Sequence, residues 1–182
     1  KKTAVKEAEL LMIDGNEIDA AEEACKVANA NGTTVLYDCG GLYEGVERLL
    51  KLTDIMIPSE EFALGHTGCD NVKAAAEKLF NTYSPKIVVI TMGKLGGVLY
   101  DGKEFFEYPA FLVDAVDSNG SGDVFHGAYA AALCKGFDYK KACIFSSAVS
   151  AIKCTGYGAR ESVPNFETVK SFLKEKLSAR EH

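Results

Sequence analysis

Two spacings of apolar residues alternate along the first half of the chain, and each predicts one kind of element. An apolar residue every third or fourth position is typical of a helix with one buried side. Helices are predicted in this way over residues 17–31, 42–52 and 71–82. Short apolar or β-branched runs predict strands over residues 9–13, 33–37, 54–57 and 86–91. Because strands and helices alternate, we predict an α/β fold: a three-layer, doubly wound, mostly parallel sheet.

The second half of the chain has a different pattern. Residues 96–100 and 104–108 flank Asp101-Gly102, which predicts a hairpin. An apolar segment, predicted to be extended, follows over residues 111–116, and helices are predicted over 124–135, 139–153 and 165–176. No linker, repeat or low-complexity tract interrupts the sequence, so we predict one domain over residues 1–182.

Composition excludes several classes of function. The net charge of −6 argues against a nucleic-acid partner. No uninterrupted apolar run reaches the length of a membrane span, so a membrane partner is not expected. The six cysteines form no C-x-x-C pair, which argues against a zinc site and favours reduced thiols in a cytoplasmic protein.

The segment Asp117-Ser118-Asn119-Gly120-Ser121-Gly122-Asp123 carries the strongest chemical signal. Glycines let a backbone approach an anion closely, and amides at the start of a helix point at that anion. Asp123 would repel a phosphate unless it acts as a base on a hydroxyl that attacks the phosphate. The segment therefore predicts a phosphoryl-transfer site, with an acidic helix cap on a flexible loop as the structural alternative.

The same segment, continued by Val124-Phe125, resembles the D-T-x-G-A-G-D-x-F signature of the ribokinase-like (PfkB) carbohydrate kinases. The resemblance implies ATP-dependent phosphoryl transfer, with Mg²⁺, to a hydroxyl of a sugar or sugar derivative. Asp123 would be the general base, and the backbone of Gly120, Ser121 and Gly122 would form the anion hole with it. It also implies a preceding N-terminal portion with a β-lid, so that residues 1–182 would be the C-terminal, nucleotide-binding part of a single kinase domain.

A second glycine-rich stretch follows the strand predicted over residues 86–91. It runs from Thr91 through Gly93 to Gly96 and resembles the family's T-x-G-x-x-G nucleotide loop. Ser147 falls where family members place residues around the adenine. The structural alternatives are a common glycine-rich strand exit and close packing of small residues between helices.

The resemblance also implies a monovalent-cation site, usually for potassium, beside the anion hole. The residues in the corresponding positions are Asp117, Asn119, Lys153, Gly156, Gly158 and Ser162. Most would contribute backbone carbonyls, and Ser162 would contribute its hydroxyl. The alternative is a glycine-rich helix exit with Asp117 in a surface turn.

One segment departs from the family. Where members carry N-x-x-E for magnesium and its waters, this chain has Ser59 and Phe62. Glu60 or Glu61 would then act on Mg²⁺ through water, which this ion retains readily. A helix start with Ser59 as its cap explains the segment equally well.

Three functions remain open from the sequence. A kinase for a sugar or sugar derivative is the leading interpretation, with the acceptor unidentified and a homodimer through the lid expected from the family. A non-catalytic nucleotide-binding module, or an inactive kinase fragment, is the second. A nucleoside kinase, which belongs to the same class as the leading interpretation, is the third.

Overall fold

The structure is a computed structural model that describes residues 2–178. These residues form two compact units. The first comprises residues 2–92 and 97–107, and the second comprises residues 93–96 and 108–178. The assignment of all 182 residues to a single domain stays a prediction.

The first unit contains a sheet whose strands follow one another in chain order. The six strands are β1 (Leu10–Ile13), β2 (Thr34–Cys39), β3 (Ile55–Pro58), β4 (Ile87–Thr91), β5 (Gly97–Tyr100) and β6 (Phe105–Tyr108). Strands β1 to β4 pair in parallel, and β5 pairs antiparallel with β4. The predicted α/β class and the mostly parallel sheet are confirmed.

Five helices belong to the first unit: α1 (Lys2–Glu7), α2 (Ile18–Ala30), α3 (Val46–Leu50), α4 (Glu60–Thr67) and α5 (Val72–Tyr83). Helix α1 lies outside the predicted helices. Helix α3 is shorter than predicted, because Gly45 precedes it with a φ of 88° that no right-handed helix contains. Leu42, the first residue of the predicted helix range, lies outside α3 and is exposed.

The core of the first unit lies between one face of the sheet and these helices. Alternate strand residues such as Val35, Tyr37 and Met56 point to this face and are fully buried against Cys25 of α2 and Leu79 of α5. The intervening strand residues Leu36, Ile55, Ile57, Val89 and Leu99 are also buried. Strands buried on both faces explain the continuous apolar runs in the sequence.

The second unit is helical: α6 (Ser121–Cys134), α7 (Tyr139–Lys153) and α8 (Phe166–Ser178), preceded in sequence by a short 3₁₀ turn, Gly93–Leu95. Tyr129 of α6 is buried and donates a hydrogen bond to the carbonyl oxygen of Tyr139 at 3.2 Å. Phe145 of α7 packs on Phe166 of α8, with 5.6 Å between ring centroids. Residues 111–116, predicted to be extended, belong to no strand, and Leu112 within them is exposed.

No helix within residues 2–178 combines the length and the apolar character that crossing a membrane requires.

Candidate active site

The first turn of α6 forms the centre of the candidate site. The helix begins at Ser121, three residues earlier than predicted, because Gly120 takes the cap position with a φ of 72°. Ser121, Gly122 and Asp123 therefore lie in the helix and not in a loop before it. The Ser121 amide donates to the Ser118 carbonyl oxygen at 3.1 Å. The amides of Gly122 and Asp123 find no acceptor within residues 2–178, so two N–H groups at the positive end of the helix dipole remain available to an anion.

The Asp123 side chain is exposed beside this backbone. A Cβ atom built on Gly120 would lie 3.9 Å from Asp123 Oδ2 and only 3.0 Å from the Cβ of Ala159. The carboxylate is thus close to the helix start and is not turned into the packed interior. The carboxylate is therefore accessible to an incoming hydroxyl, and its role as a general base stays a prediction.

The turn before α6 is organised by the Asp117 carboxylate. Its Oδ1 accepts from the Asn119 amide at 2.9 Å, and its Oδ2 accepts from the Gly158 amide at 3.0 Å. These two bonds, with the Asn119 bond the larger contribution, hold the pKa of Asp117 below its usual value, and the positive charge of Lys153 lowers it further.

The buried side chain of Lys153 approaches the same turn from the end of α7. Its Nζ donates to the carbonyl oxygens of Asp117, at 2.8 Å, and Asn119, at 2.5 Å. The Lys153 carbonyl, which the family resemblance assigned to a cation, accepts from the Gly156 amide at 3.3 Å. The hydrogen bonds of the Lys153 side chain were not predicted from the sequence.

The remaining residues predicted for the cation site lie in the same cluster. Ser162 Oγ donates to the Gly158 carbonyl oxygen at 2.8 Å, and a Cβ built on Gly156 would lie 2.8 Å from the Ser162 Cβ. The structure thus brings together all six predicted residues. It connects them by hydrogen bonds within the chain.

Three of the four predicted nucleotide-binding residues lie in the second unit. The Gly96 amide donates to the Gly93 carbonyl oxygen at 3.1 Å. A Cβ on Gly96 would meet the Tyr108 carbonyl oxygen at 2.1 Å, so only glycine fits there. Buried Ser147 donates to the Pro109 carbonyl oxygen at 2.6 Å, so its hydroxyl hydrogen already has an acceptor.

The fourth, Thr91, ends β4 in the first unit. Its Oγ1 lies 3.5 Å from the Pro58 carbonyl oxygen, a long hydrogen bond. Nucleotide binding by Thr91, Gly93, Gly96 and Ser147 stays a prediction.

The segment predicted to serve magnesium is a capped helix start. Ser59 Oγ accepts from the Phe62 amide at 3.1 Å, which makes Ser59 the cap of α4. Phe62 is 1% exposed and belongs to the core of the first unit. Glu60 and Glu61 lie in the first turn, and residues 2–178 contain no group of three or more acidic, histidine or cysteine side chains placed to hold a metal. A contact of Glu60 or Glu61 with magnesium through water stays a prediction.

Two contacts near the site were not predicted from the sequence. Ser150 Oγ donates to the Ser121 carbonyl oxygen at 3.0 Å and connects α7 to the first turn of α6. His126 is buried, with Nδ1 2.6 Å from the Gly122 carbonyl oxygen, so Nδ1 carries the hydrogen of that bond. One feature of the sequence could have indicated the contact of Ser150. Ser146, Ser150 and Lys153 are spaced so that these polar residues share one side of α7 with the buried residue Val149.

The chain is similar to several known proteins. The model of the pfkB family carbohydrate kinases matches residues 1–165. An ATP-dependent 6-phosphofructokinase of Thermoanaerobacterium thermosaccharolyticum is 33% identical over 128 residues, which are 70% of this chain and 39% of that protein. A 5-dehydro-2-deoxygluconokinase of Clostridium perfringens is 30% identical over 193 residues, covering 93% of this chain and 56% of that protein.

A solved structure extends the likeness to the backbone. The E. coli protein named Ribokinase II, in complex with ATP and Mg²⁺, has a TM-score of 0.87 and 26% identity, covering 96% of this chain and 61% of that one. The chain therefore spans about two fifths to three fifths of the length of these relatives. The family model matches about nine tenths of the chain. The chain therefore belongs to the pfkB family of carbohydrate kinases.

Proposed function

We propose that the whole protein transfers the γ-phosphoryl group of ATP to a hydroxyl of a sugar or sugar derivative. The observation that carries the proposal is the start of α6. There the exposed Asp123 carboxylate lies beside two backbone amides, those of Gly122 and Asp123, that have no acceptor within residues 2–178.

The chemistry divides between these groups. The Asp123 carboxylate takes the proton of the acceptor hydroxyl, which makes the oxygen a better nucleophile toward the γ-phosphorus. The amides and the positive end of the α6 dipole stabilise negative charge on the transferred group. Both groups occupy the first turn of one helix, so the base and the anion hole have a fixed relative geometry.

Magnesium would accompany ATP and screen its phosphates, with Glu60 or Glu61 acting through bound water. Thr91, Gly93 and Gly96 are proposed to contact the phosphates, and Ser147 to line the adenine site. We do not propose potassium as a cofactor, because the Lys153 ammonium already lies on two carbonyls of the expected site. The cytoplasm is the proposed location, since all six cysteines are free thiols.

The proposed acceptor is a sugar, a sugar derivative or a nucleoside. The family resemblance attributes sugar contacts and the dimer contact mainly to an N-terminal portion with a lid. A nucleoside therefore belongs in the same assay as pentoses, hexoses and their keto-acid derivatives.

The test is ATP-dependent ADP release by the whole protein over that panel, for wild type and Asp123→Asn. We expect the variant to lose about 10²- to 10⁴-fold in kcat, the usual contribution of a positioned base, with ATP affinity unchanged. Asp114→Asn, an exposed change outside the helix start, is the matched control and should retain full turnover. Unchanged turnover in Asp123→Asn would remove the base from the proposal. ATP binding without ADP release on any acceptor would favour the non-catalytic module.

A further inference from the structure

Lys153 is a fully buried lysine whose ammonium group donates hydrogen bonds to backbone carbonyls of the second unit. It is 0% exposed, and its Nζ donates to two backbone carbonyls, those of Asp117 and Asn119. Burying an ammonium group is unfavourable unless its donors and its charge are satisfied. The two carbonyls satisfy donors, and the charge of Asp117, which Lys153 stabilises, lies in the same turn.

The side chain is directed to this turn by its place in the helix. Lys153 is the last residue of α7, where a positive charge interacts favourably with the helix dipole. Helical side chains tend to point back toward the start of their helix, which is consistent with the burial of Lys153 and with its contacts to the turn before α6.

The residues of the expected potassium site do not fit a potassium ion in this arrangement. A potassium ion on the Asn119 carbonyl would share that oxygen with a bound ammonium group, and the two positive charges would repel each other. Both Asp117 carboxylate oxygens already accept backbone amides. The carbonyl of Gly158 accepts the Ser162 hydroxyl.

We propose that the Lys153 ammonium replaces the monovalent cation, so that this kinase works without potassium. Lys153 is then a positioning residue. Asp117 and Asn119 lie three positions and one position before the Gly120 cap, and fixing their carbonyls restricts where α6 begins. The effect on rate rests on the proposed kinase function, whereas the replacement itself is a property of the cluster.

Two further hydrogen bonds hold in place the turn that the Lys153 ammonium group contacts. The amides of Val116 and Asp117 both donate to the Cys154 carbonyl oxygen, at 2.7 and 3.1 Å. The turn is therefore joined to the residue that directly follows Lys153. Removing that side chain leaves a buried space bordered by the carbonyl oxygens of Asp117 and Asn119, which are the ligand type that a hard monovalent cation prefers.

The activity test compares cations in the whole protein. ADP release is measured for wild type, Lys153→Ala and Lys174→Ala in potassium, sodium or tetramethylammonium chloride at one ionic strength. Wild type and Lys174→Ala, an exposed lysine of α8, should give equal rates in all three salts. Lys153→Ala should lose roughly 10- to 100-fold in sodium and tetramethylammonium, as when a group that orients active-site ligands is removed. Potassium ions should restore a large part of that rate.

A second measurement does not depend on catalysis. Thermal unfolding without substrates should give wild type the same Tm in potassium and sodium, whereas potassium should raise the Tm of Lys153→Ala by roughly 2–4 °C. A wild-type enzyme several-fold faster, or a wild-type Tm higher, in potassium than in sodium would overturn the proposal. So would a loss in Lys153→Ala that no cation relieves in either readout.

The two readouts separate this proposal from the proposed function. If no acceptor is phosphorylated, the kinase assignment fails, but the Tm comparison still decides whether Lys153 replaces a cation. If Lys153→Ala does not fold, equal wild-type Tm values in the two salts support the proposal and unequal values reject it.

Discussion

The Asp117 carboxylate accepts a hydrogen bond from the Gly158 amide, with 3.0 Å between Oδ2 and the nitrogen. Forty-one residues separate the two, so this one bond joins the turn before α6 to the glycine-rich segment after α7. The second carboxylate oxygen holds Asn119 within the turn. A single ionised side chain therefore organises the approach to the candidate site.

The first prediction concerns the pH dependence of stability. The pKa of Asp117 is lowered in the folded chain by the amides of Asn119 and Gly158 and by the charge of Lys153. Because the pKa of Asp117 is lower in the folded state, the carboxylate contributes to the free energy of unfolding. That contribution is fully present above the unfolded-state pKa of about 3.9. That contribution is lost as the pH falls through the lower, folded-state pKa.

The measurement is urea unfolding of wild type and Asp117→Asn between pH 6 and pH 3. The difference in unfolding free energy should favour wild type at pH 6 and shrink as the pH falls. A difference that stays constant over this range would show that the charge of Asp117 contributes nothing to stability.

The second prediction concerns Gly96. Its φ of 87° is left-handed, and a Cβ there would overlap the Tyr108 carbonyl oxygen at 2.1 Å. Gly96→Ala should lower the unfolding free energy by about 2–5 kcal/mol, from roughly 1–2 for the backbone conformation and about 1–3 for overpacking.

Gly136→Ala is the matched control for Gly96→Ala. Gly136 has a φ of 81°, and a Cβ there would meet nothing within 4 Å, so only the conformational cost of about 1–2 kcal/mol applies. Equal losses in the two variants, measured by urea unfolding, would contradict the close approach of residues 108–110 to Gly96.

The sequence predicted the location of the candidate site better than its interactions. The glycines predicted a helix start near residues 120–123, and α6 begins there, at Ser121 after a left-handed Gly120, so that its first amides have no acceptor within the helix. That this helix start binds an anion stays a prediction. The sequence could not give the role of Lys153. A lysine near the end of a helix usually projects into solvent, and only the packing of α7 against α6 determines that this one is buried.

The sequence showed that Ser59 and Phe62 replace the N-x-x-E residues of the family. It did not show that Phe62 is needed in the core. Phe62 is in the core, and its ring stacks on His66 with 5.4 Å between centroids. His66 in turn lies 2.8 Å from the Tyr83 hydroxyl. Which side of α4 faces the core depends on residues of α5 that are distant in sequence, so local periodicity could not establish it.

The third prediction follows from that burial. Phe62→Glu, which restores the residue type of the family, should not create a magnesium site. It should lower the unfolding free energy by at least about 3 kcal/mol, because it removes a buried ring and places a carboxyl group in the core. Phe62→Leu, which keeps an apolar side chain, should cost roughly 1–2 kcal/mol. Tighter magnesium dependence with unchanged stability in Phe62→Glu would show that the position faces the active site.

The fourth prediction separates a glycine needed for folding from one needed for a ligand. Gly122 lies in the first turn of α6 without a left-handed φ, and a Cβ there would meet nothing within 4 Å. Nothing in the described chain therefore requires glycine at this position. Gly122→Ala should leave stability unchanged or raise it by up to about 1 kcal/mol, since alanine favours helix.

The activity of Gly122→Ala should fall, although its stability is unchanged or higher. If the transferred phosphoryl group approaches the Gly122 amide, the new methyl group holds it away, and a displacement near 1 Å costs on the order of 10²-fold in rate. Gly127→Ala is the matched control, because Gly127 is in the same helix and its Cβ would also meet nothing within 4 Å. It should retain full activity. Full activity in both variants would mean that the anion does not reach the start of α6, whereas a loss confined to Gly122→Ala, at unchanged stability, requires a ligand in contact with that turn.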